Sequence, residues 1–233
     1  MSEIHVSALQ SENASTTVVA GDTRIVVPAP TKPHHILLGK LGFWAQIGFM
    51  LAYIGVLSGA MFYFQFGLGE YPCPLCITQR MGMMLSSLGA LYVVVGSLRG
   101  RLSPSGFMTG LGFAILGALL GAVMSIRQIL LHIMPGDPGY GGAVFGLHLY
   151  TWALVSFVVV LVFAGVLLTF GTEFLPVRPS STFGRVVAWV VIGIFLFTVV
   201  ANLVAVFALE GFNWYLPDDP TSYELFNQLG WSK

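Results

Sequence analysis

Five stretches of this chain carry no Asp, Glu, Lys or Arg: residues 41–69, 81–98, 102–126, 138–172 and 186–209. Each approaches the roughly 20 apolar helical residues that cross a hydrocarbon core, and short polar segments separate them. The pattern predicts five transmembrane helices over about 42–66, 79–98, 106–132, 147–170 and 186–209, and so an all-α, polytopic bundle. Composition strengthens this reading: of 233 residues, 56% are hydrophobic and only 9% charged, too apolar for an ordinary soluble core.

The cations set the expected orientation. Arg24, Lys32 and Lys40 precede the first span, Arg99 and Arg101 separate the second from the third, and Arg178 and Arg185 separate the fourth from the fifth. The opposite side holds Glu70, Asp137, Glu210, Asp218, Asp219 and Glu224, with Arg80, Arg127 and Lys233 against them. By the positive-inside rule the N-terminus is cytoplasmic and the C-terminus exported. The expected location is a membrane spanned several times, with lipid as the surrounding partner.

Residues 1–40 are polar and lack the charged start and early apolar run of a cleaved signal, so they read as a flexible cytosolic tail. Residues 41–172 then form a four-helix unit, 173–210 a cytosolic loop and fifth span, and 211–233 an exported tail. In that tail, Phe212-Asn213-Trp214-Tyr215-Leu216-Pro217 reads as an interfacial anchor, with a docking site for a partner as the alternative. Gly55/Gly59 and Gly117/Gly121 have the spacing that lets helices approach closely within a bundle. Asn202 is expected to hydrogen-bond a neighbouring helix. There is no repeat and no nucleotide-binding glycine loop, and no nucleic-acid partner is expected.

The chemistry concentrates in Tyr71-Pro72-Cys73-Pro74-Leu75-Cys76-Ile77-Thr78-Gln79-Arg80, which holds the chain's two cysteines. Pro74 fits the first turn of a helix, where its missing N–H has no intrahelical role. That places both thiols near a helix N-terminus, whose unpaired N–H groups favour a thiolate. Arg80 projects from roughly the same face, where it either favours the thiolate and holds a quinone carbonyl or snorkels to lipid phosphate. Zinc needs more ligands than one close pair provides, the His of a c-type haem site is missing, and a structural disulfide closing so short a loop adds little constraint.

This motif, entering a second transmembrane helix, resembles the signature of the DsbB family of membrane thiol oxidases, which reoxidise exported DsbA-type proteins and pass the electrons to quinone. Ser125-Ile126-Arg127-Gln128-Ile129-Leu130-Leu131-His132-Ile133-Met134-Pro135 is similar to the family's segment ending the third helix, so the resemblance covers roughly residues 41–172. It implies that Cys76 is the thiol nearest a quinone, ubiquinone or menaquinone, and that Cys73 exchanges with an exported thiol protein. It also implies that Arg80 helps bind the quinone, with Arg127 and His132 assisting at the same membrane edge.

Two features depart from the family. Its second exported loop normally carries another cysteine pair, whereas residues 136–146 have none and Tyr140 stands about where the first would fall. The fifth span and the exported tail are additional. The expected function is therefore a quinone-linked disulfide oxidoreductase working through one CxxC pair, with a non-catalytic DsbB-like scaffold as the alternative. Gly146-Leu147-His148-Leu149-Tyr150-Thr151-Trp152 reads as an interfacial patch, or as a wall of the quinone pocket.

Overall fold

A computed structural model describes residues 9–10, 15–20, 23–28, 33–213 and 215–231. Lys32, Trp214, Lys233 and the remaining parts of the N-terminal segment lie outside the described residues. The chain divides into two units, Met1–Leu37 and Leu38–Lys233. In the first, β1 (Leu9–Gln10), β2 (Ser15–Ala20) and β3 (Thr23–Pro28) form an antiparallel sheet in the order β1-β2-β3, with Leu9 opposite Thr17 and Ala20 opposite Thr23. The Thr and Val runs of β2 and β3 suit a pleated backbone. The first helix starts earlier than expected, at Pro33.

The second unit is the expected bundle. α1 (Pro33–Ser58) continues as a π-helix, Gly59–Gly67, and is followed by α2 (Pro74–Leu98) and α3 (Pro104–Leu131). The hairpin β4 (Ala143–Val144) and β5 (Leu147–His148) leads into α4 (Leu149–Thr169). After the 3-10 turn Gly171–Phe174, α5 (Thr182–Glu210) and the short α6 (Glu224–Gln228) complete the chain. Among the described residues, five helical stretches are long and apolar enough to cross a membrane: Ile36–Gly67, α2, α3, α4 and α5. Ser103 and Ser181 cap α3 and α5, each accepting from the backbone N–H three residues on at 3.0 Å.

α2 lies at the centre. One cluster joins Phe43, Ile47 and Met50 of α1 to Val94 and Leu98 of α2 and to Val191 and Phe195 of α5. A second joins Tyr53 and Leu57 of α1 to Met83 and Met84, Ala118 and Ala122, and Phe157 and Val160 on α2, α3 and α4. A third closes the far end through Val93, Phe107, Leu111 and Leu167. The bundle is apolar outside as well, with Val159, Val162, Phe197 and Val204 each more than half exposed. In lipid such residues gain little by turning inward, so close backbone approach and internal hydrogen bonds hold the helices together.

The α2–α3 seam shows this directly. A Cβ on Gly117 would meet the Ser86 backbone nitrogen at 2.5 Å, and one on Gly89 would run into the Gly110 carbonyl oxygen. Ser86 Oγ donates to the Ala114 carbonyl at 3.0 Å. Gly117 and Gly121 therefore pack as expected, whereas a Cβ on Gly55 or Gly59 would meet nothing within 4 Å. Asn202 also differs: its Nδ2 donates to the Thr198 carbonyl of its own helix at 2.9 Å.

Candidate functional site

Cys73 is the N-cap of α2, with Pro74 in the first turn. Its extended backbone (φ −71°, ψ 165°) lets Sγ accept the Cys76 N–H at 3.2 Å, so a sulfur satisfies an N–H that the helix leaves free. α2 begins five residues before the expected span, which puts Cys76 inside its first turn. From α3, the Gln128 amide nitrogen donates to Cys73 Sγ at 3.4 Å and to Cys76 Sγ at 3.5 Å. Its oxygen accepts from Gln79 Nε2 at 2.8 Å and from the Cys76 thiol at 3.8 Å. The hydrogen bond with Cys76, followed by burial, pushes the Cys73 thiol far above the ordinary cysteine value. In the reduced pair Cys73 therefore holds its proton tightly.

Arg80 lies one turn further along α2 and is buried, at 9% exposure. Nη1 donates to Gln65 Oε1 at 2.8 Å and Nη2 to the Ala60 carbonyl at 3.1 Å. Both acceptors belong to the π-helix, whose wider turn is seen in Leu68 N–H donating back five residues to Tyr63 at 2.9 Å. Among the described residues no carboxylate pairs with Arg80; the one ion pair joins His132 Nδ1 to Asp137 Oδ1 at 3.0 Å. The guanidinium is thus a buried cation held by two neutral oxygens, and a guanidinium has five N–H donors. It does not snorkel.

Cys76, Gln79, Arg80 and Gln128 share a cavity of ≈ 550 Å³, which Cys73 does not line. Gly55 and Gly59 form one wall and Tyr150 and Trp152 of α4 another, so the patch at the start of α4 borders the cavity. The missing Cβ atoms of the two glycines leave the space open. Mostly apolar walls with a few convergent polar groups are typical of small-molecule sites.

The loop that lacks cysteines lies against this site. Tyr140 Oη donates to the Tyr71 carbonyl at 2.7 Å, and Gly142 N–H donates to Glu70 Oε2 at 3.0 Å. Burial raises the Tyr140 pKa, so its phenol stays a donor. Phe145 (φ 52°) and Gly146 (φ 80°) make the hairpin turn with the two positive φ angles that a tight hairpin favours.

Two expected site residues are placed elsewhere. Arg127 is exposed on α3, and its neighbour Gln128 is the residue that reaches the thiols. His132 borders no part of the cavity. It pairs with Asp137, whose carboxyl is held below the usual range by the Gly139 N–H and then by His132. Gln65, Gln79, Gln128 and Tyr140 were missed as site residues; their one sequence signal is polarity beside the CxxC motif or at a helix end.

Five membrane-length helices with a CxxC pair capping one of them define a polytopic membrane protein with a thiol site at a helix N-terminus. Residues 43–142 match the family model described as Disulfide bond formation protein DsbB. Disulfide bond formation protein B of Chromobacterium violaceum is 41% identical over 93 residues, 39% of this chain and 53% of the relative. The protein of the same description from Xanthomonas campestris is 37% identical over 100 residues, 42% of this chain and 55% of the relative. The chain thus spans about half the length of the curated relatives it matches. No solved structure matches it.

Proposed function

We propose that this protein is a membrane thiol–disulfide oxidoreductase that oxidises exported dithiols through Cys73–Cys76 and passes the electrons to a membrane quinone, ubiquinone or menaquinone. The observation that carries this reading is the cavity of ≈ 550 Å³ shared by Cys76 and the buried Arg80. A quinone fits the donor set: Arg80 has N–H groups beyond the two taken by Gln65 and Ala60, and the walls are largely apolar. The cation distribution supports an inner-membrane protein with the CxxC motif and the C-terminus on the exported side.

The exchange begins when a substrate thiolate attacks Cys73 of the Cys73–Cys76 disulfide. The S–S bond breaks, a mixed disulfide forms at Cys73, and Cys76 leaves as a thiolate stabilised by the helix N-terminus, the Gln128 amide and Arg80. The second substrate thiolate attacks its own sulfur in the mixed disulfide and frees Cys73. The substrate loses two electrons, and the pair gains them. A bound quinone supplies the oxidant, accepting two electrons and two protons as the disulfide re-forms. Gln128 holds both sulfurs on one face throughout, and Arg80 offers a positive charge where negative charge develops on the acceptor.

Cys73 is 5% exposed, so the site has to open before a protein thiol reaches it. A DsbA-like exported protein is the substrate the family suggests. The absence of loop cysteines favours the second reading, a non-catalytic scaffold that binds a partner on this side. Purified protein supplied with dithiothreitol and decylubiquinone should reduce the quinone, and Cys73→Ala and Cys76→Ala should abolish the reaction. A pair that stays fully oxidised or fully reduced under thiol trapping, whatever the quinone supply, would establish the scaffold instead.

A further inference from the structure

The family match ends at residue 142, yet a residue beyond it reaches the site. α5 stops at Gly211, whose φ of 66° turns the chain back on itself. Phe212 N–H donates to Gln228 Oε1 at 2.9 Å, tying the end of α5 to α6. Tyr223, at the start of α6, sets its ring against Tyr71 (centroids 5.2 Å apart, 73°) and Phe66 (6.3 Å, 29°). Its hydroxyl accepts from Gln65 Nε2 at 3.2 Å. Gln65 is 2% exposed, and its Oε1 accepts from Arg80.

A glutamine amide can present either end to a neighbour. Arg80 can only donate, so Gln65 must turn its oxygen to Arg80 and its NH2 away, and the buried NH2 then needs an acceptor. Tyr223 Oη is that acceptor. We propose that Tyr223 is a positioning residue: through Gln65 it fixes the Arg80 guanidinium, so that the C-terminal segment sets how the cavity receives its electron acceptor. Without the hydroxyl, a buried N–H is left unpaired and the amide loses the reason for its orientation. No carboxylate among the described residues takes over the task.

This inference rests on the quinone reading for one of its two measurements. Tyr223→Phe keeps the ring and removes the acceptor. The apparent KM for decylubiquinone should rise about five- to tenfold, a lost hydrogen bond to a buried group, with the KM for dithiothreitol unchanged and the melting temperature slightly lower. The second measurement needs no quinone. Arg80 lies within electrostatic reach of both sulfurs and stabilises the reduced pair, so a displaced guanidinium should move the Cys73–Cys76 midpoint against glutathione to a more negative potential. Gln65→Ala should act in the same direction, and the double variant should match Gln65→Ala alone, because Tyr223 acts only through Gln65.

Additive effects of the two substitutions would overturn the proposal, as would a Tyr223→Phe protein with unchanged midpoint. If the parent protein neither binds nor reduces decylubiquinone, the quinone function falls, and the midpoints of the two single variants and the double variant still decide whether Tyr223 positions Arg80.

Discussion

Gly117 and Gly121 on α3 share their four-residue spacing with Gly55 of α1 and Gly59 of the π-helix that continues it, and the two pairs do opposite things. On α3 the glycines are filled by neighbours: the α2 backbone at Gly117 and the Phe157 ring at Gly121. On the first span they meet nothing and leave the wall of the cavity beside Cys76 and Arg80. A missing side chain brings two helices together only where a partner helix completes the contact. Elsewhere it makes room for a ligand, and the same spacing can hold a bundle together or hollow it out.

The sharpest way to break this contrast is to fill the hollow. Gly59→Leu should insert a side chain where nothing now stands, so it should cost little stability while raising the KM for decylubiquinone at least tenfold; a variant that turns over normally would mean the cavity is not the acceptor site. The seam should respond the other way. Gly117→Leu meets backbone rather than a flexible side chain, and overpacking of this kind costs about 1–3 kcal/mol or more, read as a lower melting temperature in detergent whether or not quinone is present.

Between these lies Gln128, which belongs to α3 but serves the site. Gln128→Ala removes the amide that holds both sulfurs and strands the Gln79 amide. A loss of about 1–3 kcal/mol in stability should accompany a slower dithiol reaction, whereas Arg127→Ala one position away should change neither. Equal effects at the two positions would contradict the orientation of α3.

The smallest expected effect is on pH dependence. The Asp137 carboxyl is depressed in the folded protein by Gly139 N–H and His132. The stability it lends the loop is complete above the ordinary aspartate value, about 3.9, and is lost as the pH falls through the lower, folded value. Protease cutting within residues 135–148 should therefore increase on acidification below about pH 4, and Asp137→Asn should remove that carboxylate-dependent step.

Much of the fold was legible because a hydrocarbon core tolerates so few charges that runs without them mark the spans. Span ends were less so: the apolar pattern put the second span at about 79, whereas the helix runs from Pro74, the first turn that the proline indicated, with Cys73 capping it. In the site, the CxxC spacing and Pro74 pointed to a helix N-terminus, and Arg80 lay on the expected face. Arg127 and Gln128 could not be separated in advance, since consecutive helical residues differ by about 100° in direction and only the placement of α3 against α2 selects between them. The partner residues of Arg80 were hidden for a related reason. Gln65 and Ala60 sit in a segment that reads as uninterrupted apolar helix, and the π-helical widening that presents them leaves no mark in the hydropathy pattern. Tyr223 lies 158 residues from Gln65, beyond any local pattern.

The sequence by itself determined the class of protein, the number of spans and the position of the thiol pair, because these follow from local properties: charge-free length, proline at a first helical turn, and two cysteines three positions apart. Tertiary structure alone decided which small residues pack and which leave a cavity, that Gln128 rather than Arg127 meets the sulfurs, and that a tyrosine near the C-terminus steadies the buried arginine. Those outcomes depend on which helix faces come together, and a buried polar group takes whatever partner the fold brings within hydrogen-bonding distance.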